Sequence, residues 1–368
     1  MPVESPKPQH APKAPVEVRT AHLPEPLHRL DLARIAEAAS VIDPVFLHSP
    51  QLQFETLSAA LGCHLTVKVE TLNPVRCFKG RGADYLVAKR AAAGLREPLV
   101  CASAGNFGQA MAYACRKHGV ALSVFASVNA NPLKVERMHA LGAQVVRAGE
   151  DFDAAKDAAR AWAHTHRMTF VEDGAQPEIS EGAGSIAVEL LRNGAHFDAL
   201  VLPLGNGALL AGVARWTKAH SRGTRITGVC SSGAPAMAVA WRAGPGVAPV
   251  SYADIRTIAD GIAVRVPIAQ AVADLHDLVD DVLLVDDDSI VRAMRLVHEH
   301  AGLVVEPAGA AAIAAILSYP GMFAGASVAT VLTGAGVTRQ QIRDYLVPSA
   351  DTETQAARMH DHASAPSP

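Results

Sequence analysis

The chain predicts a two-lobed α/β protein whose sheets are largely parallel and flanked by helices. Strand-like and helix-like segments alternate along most of its length, as in sheets built from parallel crossovers. It has 368 residues at 49% hydrophobic content, enough for a large core and two lobes. Four strand-to-helix corners also carry glycine beside a chemically capable side chain, and ligands gather where strands end in such folds.

Met1 to about Pro26 is rich in Pro, Lys and His and has no apolar core, so it reads as a disordered arm and no secretory signal. Leu27–Ala39 fits a helix, and Val41–Pro50 an irregular entry. Leu65–Glu70 alternates as a strand, and a helix carrying Leu86, Val87 and Ala91 runs until Gly94. Further strands are expected at Leu99–Ala102, Ala121–Ala126, Gln144–Arg147, Thr169–Glu172, Ala199–Leu204, Arg225–Cys230, Val282–Val285 and Val328–Leu332. Helices are expected at Pro132–Leu141, Phe152–His164, Leu209–Ala219 and Ser289–His300. The expected division is 27–97 with 171–349 as the larger domain, 98–170 as the smaller, and 350–368 as a flexible tail.

Composition excludes several functions. A formal charge of −3 without a dense basic patch argues against nucleic acid. Every long apolar stretch is broken by Gly, Pro or charge, so no membrane span is expected. Five scattered cysteines without a Cys-Xaa-Xaa-Cys pair fit free thiols in a reducing cytoplasm. His298, His300, His360 and His362 are read as solvated positions and not as metal ligands.

The first corner is Asn-Pro-Val-Arg-Cys-Phe-Lys-Gly-Arg-Gly-Ala, residues 73–83. Lys79 lies near a helix start, where the helix dipole, Arg76 and Arg81 all disfavour an ammonium. A neutral lysine amine attacks carbonyls and forms Schiff bases. These residues alone read more readily as a solvated lysine in a basic turn.

At the second corner, Ser103, Ala104, Gly105, Asn106 and Phe107 form a small-residue turn before a helix. Its backbone N–H groups suit an anion such as a carboxylate. At the third, Gly205, Asn206, Gly207, Ala208 and Leu209 follow a very apolar strand and open a helix, an arrangement suited to phosphate. The loop lacks the Gly-Lys-Ser/Thr ending of a nucleotide loop and the third glycine of a dinucleotide fingerprint, so a phosphate without a nucleotide is favoured. The fourth corner puts Thr333 at a strand end before Gly334-Ala335-Gly336, where a hydroxyl can meet a heteroaromatic nitrogen. Glu306 sits at a helix entry, where it needs no role beyond that of an N-terminal charge.

Together, in this order from about Leu57 to Tyr345, the corners resemble the fold-type II pyridoxal-phosphate enzymes, similar to tryptophan synthase β, in their serine/threonine dehydratase branch. The resemblance implies that Lys79, after Phe78, carries the Schiff base to pyridoxal 5′-phosphate. It implies that Ser103–Asn106 receives the substrate carboxylate and that Asn106 contacts the cofactor's 3′ oxygen. Gly205–Leu209 would cradle the 5′-phosphate, and Thr333 would bond the pyridine nitrogen. Glu306–Ala310 and Ala259–Val264 match the branch as well.

A neutral hydroxyl at the ring nitrogen makes a weaker electron sink, which favours prompt loss of a β-leaving group over transamination. The implied activity is a lyase turning L-threonine or L-serine into a 2-oxo acid and ammonia, with Lys79 as base and the phosphate as acid. Ala104 replaces the serine of related racemases, and Cys230 stands near their acidic metal ligand, so neither racemisation nor a divalent site is expected. Phe107 replaces the usual histidine, which leaves the substrate side chain open. No regulatory domain is expected after Tyr345, whereas a homo-oligomer, dimer or tetramer, is. The alternatives are β-replacement, as in cysteine- or threonine-synthase-like relatives, and a binder of cofactor or amino acid without turnover.

Overall fold

A computed structural model describes residues 28–103 and 105–347. The arm, the tail and Ala104 lie outside the described residues. The strands are β1 (Gln51–Gln53), β2 (His64–Val69), β3 (Leu99–Ala102), β4 (Leu122–Ala126), β5 (Gln144–Arg147), β6 (Thr169–Val171), β7 (Ala199–Pro203), β8 (Arg225–Ser231), β9 (Asp281–Val285) and β10 (Ser327–Leu332). They form a six-stranded sheet ordered β1-β2-β10-β7-β8-β9 and a four-stranded sheet ordered β5-β4-β3-β6. All pairs are parallel except β1 with β2. We propose the two-lobe division on the basis of these two sheets. β6 closes the smaller sheet and ends at Val171, the residue where the larger domain was expected to resume.

In the larger sheet β10 sits between β2 and β7, with Val328 beside both Leu65 and Ala199. Strands covered on both faces read as near-continuous apolar runs, and Ala199–Pro203 is buried throughout. The helix Pro307–Ser318 lies against this sheet. Its Ala-rich sequence has little side-chain bulk, so the helix is buried from Pro307 to Ile316. Proline at its first position needs no N–H partner, which suits a helix start.

The helix expected at Leu27–Ala39 shifts, and the irregular entry expected at Val41–Pro50 acquires short elements. The first helix is Leu32–Val41, capped by Asp31, whose carboxylate accepts from the Ala33 and Arg34 N–H groups. Within the second segment Pro44–Phe46 forms a 3₁₀ turn, and the short exposed edge strand β1 follows. A three-residue strand leaves too little periodicity to be read.

Helix Lys79–Ala92 crosses helix Pro177–Leu190 at a glycine pair. A Cβ at Gly182 would lie 2.6 Å from Gly82 Cα, so the crossing admits only hydrogen at both positions. This approach fixes the helix that begins at Lys79 against the one that follows β6. Among the described residues no helix is long and apolar enough to cross a membrane. All five cysteines are free and buried.

Candidate active site

Three of the four corners are stitched together by backbone hydrogen bonds and one carboxylate. The Phe78 N–H donates to the Thr333 carbonyl at 3.0 Å, and the Ala335 N–H to the Arg76 carbonyl at 3.0 Å. The Glu306 N–H donates to the Gly334 carbonyl at 2.9 Å. The side chain of Glu306 then accepts from Asn106 Nδ2 at 2.7 Å and from the Gly336 N–H at 2.9 Å. Glu306 is therefore no simple surface charge at a helix start. It is buried, and burial, reinforced by the charge of Asp260, raises its pKa above the ordinary carboxylate value.

Lys79 begins its helix as expected. Arg81 corrects the expectation for its surroundings, because this guanidinium does not face the lysine. It is fully buried and forms paired hydrogen bonds with Glu70 and Glu189, at 2.7–3.0 Å. Those two carboxylates keep its pKa above the ordinary value despite burial, which opposes the charge. Lys79 Nζ instead meets Asp173, at 2.5 Å from Oδ2.

The turn after β3 also differs from the expected open fan of N–H groups. Ser103 Oγ accepts from the N–H groups of Gly108 at 2.8 Å and Gly105 at 3.1 Å. Part of the fan is thus taken internally, with Ser103 bracing the first turn of helix Asn106–His118, whose N-cap position is Gly105. Phe107 is buried beside it.

The third corner keeps its expected form. Gly207, with φ 95°, caps helix Ala208–His220, and no side chain occupies the helix N-terminus. The first-turn N–H groups have no helical acceptors and point at whatever sits there. They carry the positive end of the helix dipole.

Lys79, Ser103, Gly105, Asn106, Phe107 and Asp173 line a cleft of about 380 Å³. A narrower recess behind it is bordered by Phe78, Lys79, Asn106, Gly205–Leu209, Glu306 and Thr333. Every site residue expected from the sequence, apart from Ala104, therefore borders one of two connected spaces.

The residues that sequence reasoning missed are charged ones in the cleft. Asp173 follows β6 and precedes Gly174, so its signal was an acid at a strand end beside glycine. Lys134 and Asp260 form an ion pair across the cleft. Lys156 meets Glu172 at 3.3 Å, and Arg265 meets Asp151 at 3.0 Å and Asp153 at 2.7 Å. These partners lie far apart in sequence, and spacing alone does not reveal them. Among the described residues no group of three His, Cys, Asp or Glu side chains is arranged to hold a metal ion. Cys230 is buried, which pushes its thiol up to about 12.

Comparison with known proteins agrees with this geometry. The family model described as pyridoxal-phosphate dependent enzyme matches residues 42–334. The biosynthetic L-threonine dehydratase of Pasteurella multocida is 31% identical over 297 residues, which are 80% of this chain and 57% of that protein. The corresponding enzyme of Escherichia coli is 32% identical over 84% of this chain and 59% of its own length. The chain thus spans little more than half of these curated relatives. Among solved structures, processed threonine deaminase isoform 2 of Solanum lycopersicum superposes with a TM-score of 0.78 at 27% identity, covering 86% of this chain and 93% of that one. Maize serine racemase superposes with a TM-score of 0.79 at 25% identity, covering 90% and 99%. With the match spanning most of its length and the recess bordered by lysine, glycine loop and threonine, the chain belongs to the pyridoxal-phosphate dependent enzyme family.

Proposed function

We propose that the protein is a threonine/serine ammonia-lyase, converting a β-hydroxy L-amino acid into a 2-oxo acid and ammonia. The observation that carries this reading is Lys79 at a helix start, opening into a recess closed by the uncapped N-terminus of helix Ala208–His220. The dehydratase names of the relatives support the choice of reaction.

The recess fits pyridoxal 5′-phosphate by its donor chemistry. Free N–H groups and a helix dipole suit a phosphate dianion, and Gly207 adopts the left-handed backbone that such a turn requires. When bound, the cofactor supplies an aldehyde that links covalently to an amine and a ring that draws electrons from the substrate's α-carbon. Gly205–Leu209 would hold the phosphate, and the Thr333 hydroxyl would be the partner for the ring nitrogen. Asn106, itself held by Glu306, would contact the cofactor's ring oxygen. Ser103, Gly105 and Asn106, with Ala104, receive the substrate carboxylate, and Phe107 bounds the space for its side chain.

Lys79 has two roles here. Its nitrogen would hold the cofactor through a covalent link, and its free amine would accept the substrate's α-proton as general base. A lysine at a rigid helix start returns to the same place after each cycle. The proposal also carries a cytoplasmic setting, supported by five free thiols, and a homo-oligomeric assembly.

The test is an assay of 2-oxo acid and ammonia over a panel of L- and D-amino acids, with pyridoxal phosphate added. Turnover of L-threonine or L-serine supports the lyase. Silence on both, with normal cofactor uptake, overturns it in favour of β-replacement.

A further inference from the structure

The charges of the cleft pair off among themselves. Facing Lys79 and Asp173 are Lys134 with Asp260, Lys156 with Asp153 and Glu172, and Arg265 with Asp151 and Asp153. Glu172 is further held by Arg160. Glu306 faces the recess and is held by Asn106 and the Gly336 N–H. The Cys77 thiol is buried at the corner itself. Among the described residues Asp173 has one charged partner, Lys79.

Asp173 is nine-tenths buried, and its second oxygen, Oδ1, is buried with no hydrogen-bond partner. A carboxylate this desolvated is costly unless a cation stays beside it. The turn behind it is braced, since Arg29 donates to the carbonyls of Gly174 and Ala175 and pairs with Asp274. The turn is thus held from behind, and among the described residues the side chain in ionic contact with this carboxylate is Lys79.

We propose that Asp173 is a positioning residue for Lys79: its carboxylate supplies the counter-charge beside the lysine nitrogen and aims that nitrogen into the recess. This rests on reading Lys79 as the cofactor-linked lysine. A carboxylate beside a protonated nitrogen favours the charged form, by about 1–3 pH units at close range. The same contact steadies the lysine when it is released with the proton it has taken.

The experiment uses purified protein with pyridoxal phosphate and reads the pH midpoint at which the absorbance of the lysine-linked cofactor changes. Asp173→Asn keeps the shape and removes the charge, and its midpoint is expected to fall by about 1 pH unit or more. Asp173→Glu is expected to recover over half of that shift. Asp173→Ser carries the same expectation as the Asn variant should that one fail to fold. A midpoint in the charge-free variants within about 0.2 units of wild type, a shift well below that expected of a close charge, overturns the proposal. Lys79→Ala is the separate control: if it retains the linked absorbance, the reading of Lys79 itself is overturned.

Discussion

Asn106 Nδ2 donates a 2.7 Å hydrogen bond to Glu306 Oε1, joining side chains 200 positions apart in sequence. One residue starts the helix behind β3 and the other stands at the N-terminus of helix Pro307–Ser318. The contact ties the smaller sheet's turn to the larger sheet's recess and is the polar seam of the site. Burial raises the Glu306 pKa, so the protonated form is favoured more in the folded than in the unfolded chain. The stability this contributes is fully present below the unfolded value of 4.5 and is lost as pH rises through the folded value. Glu306→Gln removes that titration while retaining a carbonyl for the Gly336 N–H. The melting temperature of the variant is expected to gain on wild type as pH rises from about 4.5, the unfolded value, towards neutrality. Thermal melts across this range check it, and a constant difference contradicts it.

Arg81 is the buried hub behind Lys79, and its removal leaves Glu70 and Glu189 as neighbouring carboxylates without their cation. Arg81→Ala is expected to destabilise the protein by about 3–5 kcal/mol, the usual cost of breaking a buried pair from one side. Urea unfolding of the cofactor-free protein measures it.

Glu189 gives the matching acid limb. Arg81 and Lys68 overcome the cost of burial and hold its carboxyl at about 2, below the ordinary 4.5. A depressed acid contributes stability above its unfolded pKa and loses it as pH falls through the folded one. Wild-type stability is therefore expected to decline between pH 4.5 and about 2, and Glu189→Gln to decline less steeply. Acid titration followed by circular dichroism checks the slope.

Gly207 has φ 95°, and a Cβ there would meet its nearest neighbour, Ala271 Cβ, at 3.5 Å, an ordinary contact. The cost of Gly207→Ala is thus conformational, about 1–2 kcal/mol. Relief of this strain distorts the phosphate loop, and the Kd for pyridoxal phosphate is expected to rise about tenfold, the equivalent of 1.4 kcal/mol. Equilibrium titration of the cofactor-free variant measures the change.

Phe107 borders the cleft beside Asn106. Phe107→His replaces an apolar wall by a polar one, and the threonine-to-serine ratio of kcat/KM is expected to change about tenfold, the usual worth of one methyl contact. An unchanged ratio removes Phe107 from the substrate pocket.

The strands were legible because apolar runs such as Ala199–Leu204 sit between glycine-marked corners, and the structure moves their ends by a residue or so. The candidate site was legible for a related reason, since Lys79, Asn106 and Gly205–Leu209 stand at or just before helix starts and Thr333 at a strand end. Asp173, Lys134 and Asp260 were not, because their pairing depends on tertiary contacts between distant elements. Arg81 misled for a related reason. Two positions from Lys79 in sequence, it points to another side of the helix, where Glu70 and Glu189 wait. The edge strand β1 was too short to carry a pattern.

The central claim is that Lys79, among the lysines of the cleft, carries the cofactor. The most direct measurement is borohydride reduction of the loaded protein, followed by peptide mass spectrometry. The account expects the reduced pyridoxyl group on the peptide containing Lys79 and its loss in Lys79→Ala. The group on Lys134 or Lys156, with Lys79 unmodified, would contradict it.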